Sequence, residues 1–114
     1  MYEYNATLVR VVDGDTIDVM VDLGFDIHHK ARLRLARINA PELNTSEGQV
    51  SRFGLLTLLG EAPGRATPPF YIKTKKVPEK SKDKYGRFIA EVYVQSVNIS
   101  DRMINQGFAV YVNY

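Results

Sequence analysis

The sequence predicts a mainly β fold with two or three helices: a barrel of five short strands, with one helix after the third strand and another near the C-terminus. Three observations predict it. Five segments have the β-branched or alternating composition of strands, and they fall in the order three strands, helix, two strands, helix. Turn signals built on glycine separate the first three. The chain has 114 residues, 45% hydrophobic and 25% charged, which suits one domain over residues 1–114 around one core.

The elements follow in order. Asn5 to Val12 is β-branched and alternates over part of its length, and Asp13-Gly14-Asp15 closes it with a turn. Thr16 to Asp22 sets Ile17, Val19 and Val21 against Asp18, Met20 and Asp22, so the two runs form a hairpin. A second connection covers Leu23 to Asp26 and reaches His28 and His29. Lys30 to Ile38 is the third strand, with Arg32 and Arg34 facing away from Leu33 and Leu35. Ala36-Arg37-Ile38 breaks the alternation as a bulge or strand end does, and Pro41 stops the strand.

Gly48 to Leu59 suits a helix, with Val50, Phe53 and Leu56 as an apolar stripe widened by Leu55, Leu58 and Leu59. Gly54 inside it costs about 1 kcal/mol relative to alanine. Gly60 to Pro69 is a Pro/Gly-rich loop, and Phe70 to Lys76 and Phe88 to Gln95 are the last two strands. Ser100 is placed to cap the final helix, Asp101 to complement its first turn, and Ile99 and Ile104 to staple it. Met103 and Ile104 belong to the core. Gly107 ends the helix in a left-handed cap, and Phe108 to Val112 is an extended tail. Five strands with a helix after the third match the barrel of the oligonucleotide-binding (OB) kind. That barrel hosts binders and enzymes alike, so it does not give function.

Bulk properties exclude several classes. No apolar run approaches the eighteen or so residues of a membrane helix. No basic end followed by an apolar stretch opens the chain, so a cytoplasmic or phage-encoded intracellular setting is expected over a secreted one. With no cysteine and two histidines, neither a disulfide nor a zinc site is expected. The formal charge is only +2, but Lys73, Lys75, Lys76, Lys80, Lys82, Lys84 and Arg87 crowd one stretch that also holds Glu79 and Asp83. Such a stretch is either a solvated loop or a rim that attracts phosphate backbones.

Cleaving a phosphodiester requires a cation on the phosphate, a base for water, donors for the transition-state charge, and something to position the chain. Asp15, at the mouth of the first hairpin, is a turn former or a carboxylate offered to a hard cation. Arg34 is a solvent-facing strand residue or a planar fork for phosphate oxygens. Glu42, after Pro41, is an ordinary loop residue or a base presented by a rigid turn. Asp83-Lys84-Tyr85-Gly86-Arg87 sets a phenol and an arginine beside the basic stretch.

Four segments carry a resemblance: Val11-Val12-Asp13-Gly14-Asp15-Thr16, Arg34 to Glu42 (RLARINAPE), Asp83-Lys84-Tyr85-Gly86-Arg87, and Asn105-Gln106-Gly107-Phe108-Ala109. In this order and spacing, over about Ala6 to Tyr114, the chain resembles the staphylococcal nuclease (thermonuclease) family. The resemblance implies a calcium-assisted attack of water on phosphorus in both DNA and RNA, leaving 3′-phosphates, and single strands are the expected preference. It implies Asp15 as a calcium ligand with Asn39 and the backbone carbonyl of Ala40. It implies Arg34 and Arg87 as phosphate-binding arginines and Glu42 as the general base. Lys84, Tyr85, Tyr111 and Tyr114 are implied to contact the nucleic acid, in a protein expected to be monomeric.

Two departures stand out. Asn39 occupies a position where the family has a ligand aspartate, so weaker calcium binding is expected. The family also continues into a third helix beyond the point where this chain stops, which makes the chain a trimmed or a natural minimal form. Two other readings remain. One is an inactive module on the same barrel that binds nucleic acid or protein; the retention of Asp15, Arg34, Glu42 and Arg87 together favours the enzyme. The other is a plain single-strand binder, which would spread aromatics over the sheet face; here the aromatics concentrate at Phe70, Tyr71, Phe88, Tyr93, Phe108, Tyr111 and Tyr114, and many of these fall where core or tail packing uses them.

Overall fold

The structure is a computed structural model that describes residues 2–60, 69–74 and 88–112. Strands β1 (Tyr2–Asp13), β2 (Thr16–Asp22) and β3 (His28–Leu35) form an antiparallel meander, followed by the two-residue strand β4 (Ile38–Asn39) and helix α1 (Ser46–Leu58). Then come β5 (Phe70–Thr74), β6 (Phe88–Val94), β7 (Val97–Asn98), helix α2 (Ile99–Asn105) and β8 (Val110–Tyr111). β1 pairs with β5, β5 with β6, and β6 runs parallel to β3, so five strands close into the expected OB-like barrel.

β1 is long because it serves two neighbours. Its first half pairs with β5, and it runs along β2 from Asn5 to Asp13. Register shifts between Leu8 and Arg10 and between Val11 and Asp13 coil the strand around the barrel. They also explain its imperfect alternation, since Val9 is left exposed while Ala6 and Val11 stay buried. The barrel is filled by Ile17, Val19, Leu33, Leu35, Ile72 and Val92, and is plugged at one end by Leu55, Leu59, Ile99 and Met103 from the helices. Ile104 packs against this core without being fully buried.

Several expectations are corrected. The third strand begins earlier, so His28 and His29 lie on β3, opposite Asp22 and Val21, and not in a connection. It ends at Leu35, and Ala36-Arg37 is a turn with Arg37 at φ +68°. Arg34 faces away from the core residues Leu33 and Leu35, as alternation predicts, but it is buried like them and does not reach solvent, because the hairpin tip and β4 cover this end of β3. Helix α1 starts at Ser46, with the Thr45 side chain accepting from the Gly48 N–H. Its buried face is Gly48, Ser51, Leu55 and Leu59, whereas Val50 and Phe53 are exposed. Ser51 and Arg52 rotate the helix to that setting: Ser51 Oγ donates to the Phe108 carbonyl at 2.7 Å and Arg52 Nε to the Val11 carbonyl at 3.1 Å.

The second helix is capped by Asn98, whose side chain accepts from the Asp101 N–H at 3.1 Å, not by Ser100. Ser100 is buried in the first turn, and its hydroxyl finds no partner among the described residues. Moving the cap back two residues also takes Ile99 and Ile104 out of the staple positions. Gly107 does end the helix at φ +77°, with Phe108 N–H donating to the Met103 carbonyl and Gly107 N–H to that of Ile104.

One ion pair on the barrel makes stability depend on acid. Arg32 grips Asp18 at 2.7 and 3.1 Å, directly across the β2–β3 ladder, and holds that carboxyl below its usual range. A carboxyl depressed in the folded state binds its proton less readily than in the unfolded chain. Its stabilisation is therefore complete above about pH 4, the unfolded value, and is lost as pH falls through the lower folded value. Urea unfolding of Asp18→Asn is expected to show a shallower loss of stability between neutral pH and pH 3 than the parent chain.

Candidate active site

The site is built on the tip of the β1–β2 hairpin. The Asp13 carboxylate accepts from the Asp15 N–H at 3.1 Å and shapes the turn. Gly14 is required here by space: a Cβ would run into Ser51 of α1 and the Ala40 side chain. The turn sinks under the helix, and Asp15 is only 7% exposed.

Its buried carboxylate is nevertheless well partnered. Oδ1 accepts from Thr16 Oγ1 at 3.0 Å, and Oδ2 from the Ala40 N–H at 2.8 Å. Arg34 Nη2 lies 3.4 Å from the same Oδ2. Burial, with the Asp13 carboxyl beside it, pushes the Asp15 pKa up to about 6, against the opposing pull of the Ala40 N–H and Arg34. Burial therefore outweighs its hydrogen bonds and the arginine, and favours the protonated carboxyl more than in a free aspartate.

Arg34 reaches this point because it stands directly opposite Thr16 in the β2–β3 ladder. Its Nη1 donates to the Leu35 carbonyl at 3.1 Å and its Nη2 to Asn39 Oδ1 at 3.2 Å. One nitrogen therefore touches both Asp15 Oδ2 and Asn39 Oδ1, so the two oxygens expected to face a cation converge. Asn39 is exposed, which opens the cluster to solvent on that side. A cleft of about 240 Å³ adjoins it, lined by Asn39, Ala40, Pro41, Phe108, Ala109 and Val110. An apolar cavity of similar size, about 250 Å³, lies among Tyr4, Val21, His29 and Phe88. Leu33, the neighbour of Arg34, also lines it, but none of Asp15, Arg34, Asn39 and Ala40 does.

Glu42 follows on an exposed loop whose position is fixed by the start of α1. Its carbonyl accepts from the Thr45 N–H at 3.0 Å and the Thr45 hydroxyl at 2.7 Å. Gly48 packs so closely on that carbonyl that no side chain fits between them. Tyr111 lies on β8, paired with Ile38 while Val110 pairs with Asn39. Its ring is exposed and its hydroxyl donates to Asp101 Oδ1 at 3.3 Å.

The structure thus gathers Asp15, Arg34, Asn39 and Ala40 into one cluster, with Tyr111 on the strand paired to β4 and Glu42 three residues beyond Asn39. Lys84, Tyr85, Arg87 and Tyr114 lie outside the described residues. Thr16 and Arg37 were missed by sequence reasoning. Thr16 could have been found from the hairpin, since the first residue of β2 stands opposite the end of β3.

The oxygens that converge, a carboxylate and an amide, are both hard-cation ligands, and Ala40 turns its N–H to the Asp15 carboxylate. They carry a single negative charge, and among the described residues no three acidic or histidine side chains converge as a metal group. Residues 32–114 match the family model described as staphylococcal nuclease homologue. The chain is 32% identical over 116 residues to "Protein ParB" of Escherichia coli, covering 94% of this chain and 56% of that one. It is 32% identical over 116 residues to "Micrococcal nuclease" of Shigella flexneri, covering 94% and 58%. It is 34% identical over 102 residues to an "Uncharacterized endonuclease" of Haemophilus influenzae, covering 90% and 49%. The chain spans about half the length of these curated relatives. The barrel, the hairpin-tip carboxylate with its strand arginine, and a match over residues 32–114 lead to one assignment: the chain belongs to the staphylococcal nuclease family.

Proposed function

We propose that this chain is a calcium-dependent nuclease that hydrolyses phosphodiester bonds in DNA or RNA, acts on single strands, and works as a monomer. The observation that carries the reading is the convergence of Asp15 and Asn39 on one guanidinium nitrogen of Arg34, at the rim of an open cleft. Asp15, Asn39 and the carbonyl of Ala40 would hold the calcium ion. When bound, that ion would neutralise phosphate charge and make water easier to deprotonate.

The chain's own residues do the rest. Glu42, exposed and set by Thr45, takes the proton of the attacking water as its oxygen bonds to phosphorus. The bond to the 5′ oxygen breaks, that oxygen takes a proton from solvent, and the product keeps a 3′-phosphate. Arg34 and Arg87 supply fixed positive charge to the phosphoryl oxygens as the five-coordinate transition state forms. Arg34 suits this role because its fork is anchored by Asp15 and the Leu35 carbonyl, so little reorientation accompanies the reaction. The exposed ring of Tyr111, with Tyr85 and Tyr114, offers stacking or hydrogen bonding to nucleotides, and Lys84 adds attraction for the backbone.

A second reading is favoured by Asn39. One carboxylate is a weak cage for calcium, and a chain that cannot hold the ion would be a nucleic-acid- or protein-binding module on the same barrel. Hydrolysis of end-labelled single-stranded DNA by the purified chain, with calcium and with chelator, separates the two. Cleavage that requires calcium supports the enzyme. Retained binding without cleavage at millimolar calcium supports the module. The Asn39→Asp variant restores a second charge, and calorimetry is expected to show calcium affinity rising by about one to two orders of magnitude. Unchanged affinity would remove residue 39 from the ligand set.

A further inference from the structure

We infer that Arg37 is a positioning residue, a joint that fixes the nucleotide-contacting strand β8 relative to the phosphate-binding cluster. The inference rests on the nuclease reading only for the role it gives Tyr111 toward nucleic acid. Arg37 sits in the two-residue turn between β3, which carries Arg34, and β4, which carries Asn39. Its backbone is left-handed, at φ +68°, a conformation that a side chain other than glycine, asparagine or aspartate adopts at a cost.

The contacts of its side chain and carbonyl hold it there. Nε donates to both oxygens of Glu91 on β6, at 3.1 and 3.2 Å. Nη1 donates to Asp101 Oδ1 on α2 at 3.0 Å, and Nη2 lies 3.4 Å from the side-chain oxygen of Asn98, the cap of that helix. The Arg37 carbonyl accepts from the Val112 N–H at 2.8 Å. The Tyr111 hydroxyl donates to the same Asp101 oxygen that Arg37 holds.

Thus one guanidinium ties together the barrel wall, the last helix and, through Asp101, the phenol of Tyr111. The Arg37 main chain secures the end of β8 just before β4 pairs with it. Tyr111 is anchored at its hydroxyl and 58% exposed, which leaves its ring free to meet a base. Without the cation, Glu91 and Asp101 lose the group that bridges them, and the carboxylate that accepts from the phenol is no longer tied to the barrel wall. Arg37 has its side-chain partners, Glu91, Asp101 and Asn98, outside the cluster formed by Asp15, Arg34 and Asn39. Its loss should therefore loosen substrate binding more than it slows the chemical step.

The test uses Arg37→Met, Arg37→Lys, Arg37→Gly and Tyr111→Phe. Each is checked for folding by circular dichroism and read by fluorescence anisotropy with a labelled single-stranded oligonucleotide and calcium, in a Glu42→Gln background. Arg37→Met is expected to weaken Kd about tenfold, the loss of one anchored contact, and Arg37→Lys by less. Arg37→Gly is expected to match Arg37→Met, although glycine suits the left-handed backbone better. Adding Tyr111→Phe to Arg37→Met should have little further effect, because both cut the same link.

In the active background, Arg37→Met should raise KM by a similar factor and change kcat less than about threefold. Wild-type binding without any cleavage would sink the nuclease reading yet leave the Kd series decisive. The inference is overturned by unchanged Kd in folded Arg37→Met, by recovery in Arg37→Gly, by additive effects of the two variants, or by a chain that binds no oligonucleotide. Should Arg37→Met fail to fold, Arg37→Lys and Tyr111→Phe carry the test, and wild-type Kd in both overturns it.

Discussion

Glu42→Gln, and separately Arg87→Ala, should each lower kcat at least about a hundredfold, the scale of losing one preorganised group at the transition state. For Glu42 the structure gives the reason the effect should fall on kcat. The residue is exposed, and its carbonyl, not its side chain, makes the contacts with Thr45 that shape the loop. The amide variant keeps those main-chain bonds and the side chain's size while losing the basic oxygen. Stability and oligonucleotide affinity should therefore stay near the parent values while single-turnover cleavage collapses. For Arg87 the expectation comes from the sequence motif and the family, with loss in both kcat and kcat/KM. If both variants cleaved labelled DNA at close to the parent rate, the assignment of base and phosphate donors would be wrong.

The second large effect is expected at Arg34, and it should appear in stability as well as activity. The Arg34 side chain is 3% exposed and that of Asp15 10% exposed, with 3.4 Å between them. Arg34→Met keeps most of the volume but leaves the Asp15 carboxylate buried beside the Asp13 carboxyl without its arginine partner. Breaking a buried pair in this way costs about 3 to 5 kcal/mol, and the lower end is expected because Thr16 and the Ala40 N–H remain to solvate Asp15. Cleavage should fall at least about a hundredfold. Arg34→Lys distinguishes the two contributions. It restores a charge but not the fork that reaches Leu35 and Asn39 together, so urea unfolding should recover more than activity does. A wild-type midpoint for Arg34→Met would mean that the pair does not hold the hairpin to β3.

The clustering has a consequence for the metal reading. Asp15 is pushed up to about 6 by burial while it already holds two hydrogen bonds and an arginine. The side-chain oxygen of Asn39 meets the same arginine nitrogen, and the residue itself is exposed. Replacing aspartate with asparagine there removes charge but keeps an oxygen in place, which is why altered affinity, not loss of the site, is the expectation under test.

The sequence by itself determined the closed barrel, the span of β2 to the residue, the approximate position of each long element and the family motifs. It could do so because burial on one face imposes a period of two on strands, and because turn residues are chemically specific. It also marked Gly107 as a helix end, since a left-handed backbone there strongly favours glycine. Tertiary structure alone decided what the alternation could not carry. Arg34 is buried because covering segments close over the end of β3, a fact set by neighbours far away in sequence. Helix α1 exposes Val50 and Phe53 because Ser51 and Arg52 bond to carbonyls of Phe108 and Val11, and these distant contacts outweigh the apolar stripe. Asn98 took the cap from Ser100 because β7 delivers the chain to the helix two residues earlier than the local signal implies. Arg37 looked like an irregularity in a strand. Its role depends on Glu91, Asp101, Asn98 and Val112, partners more than fifty residues away that only the closed fold brings within reach.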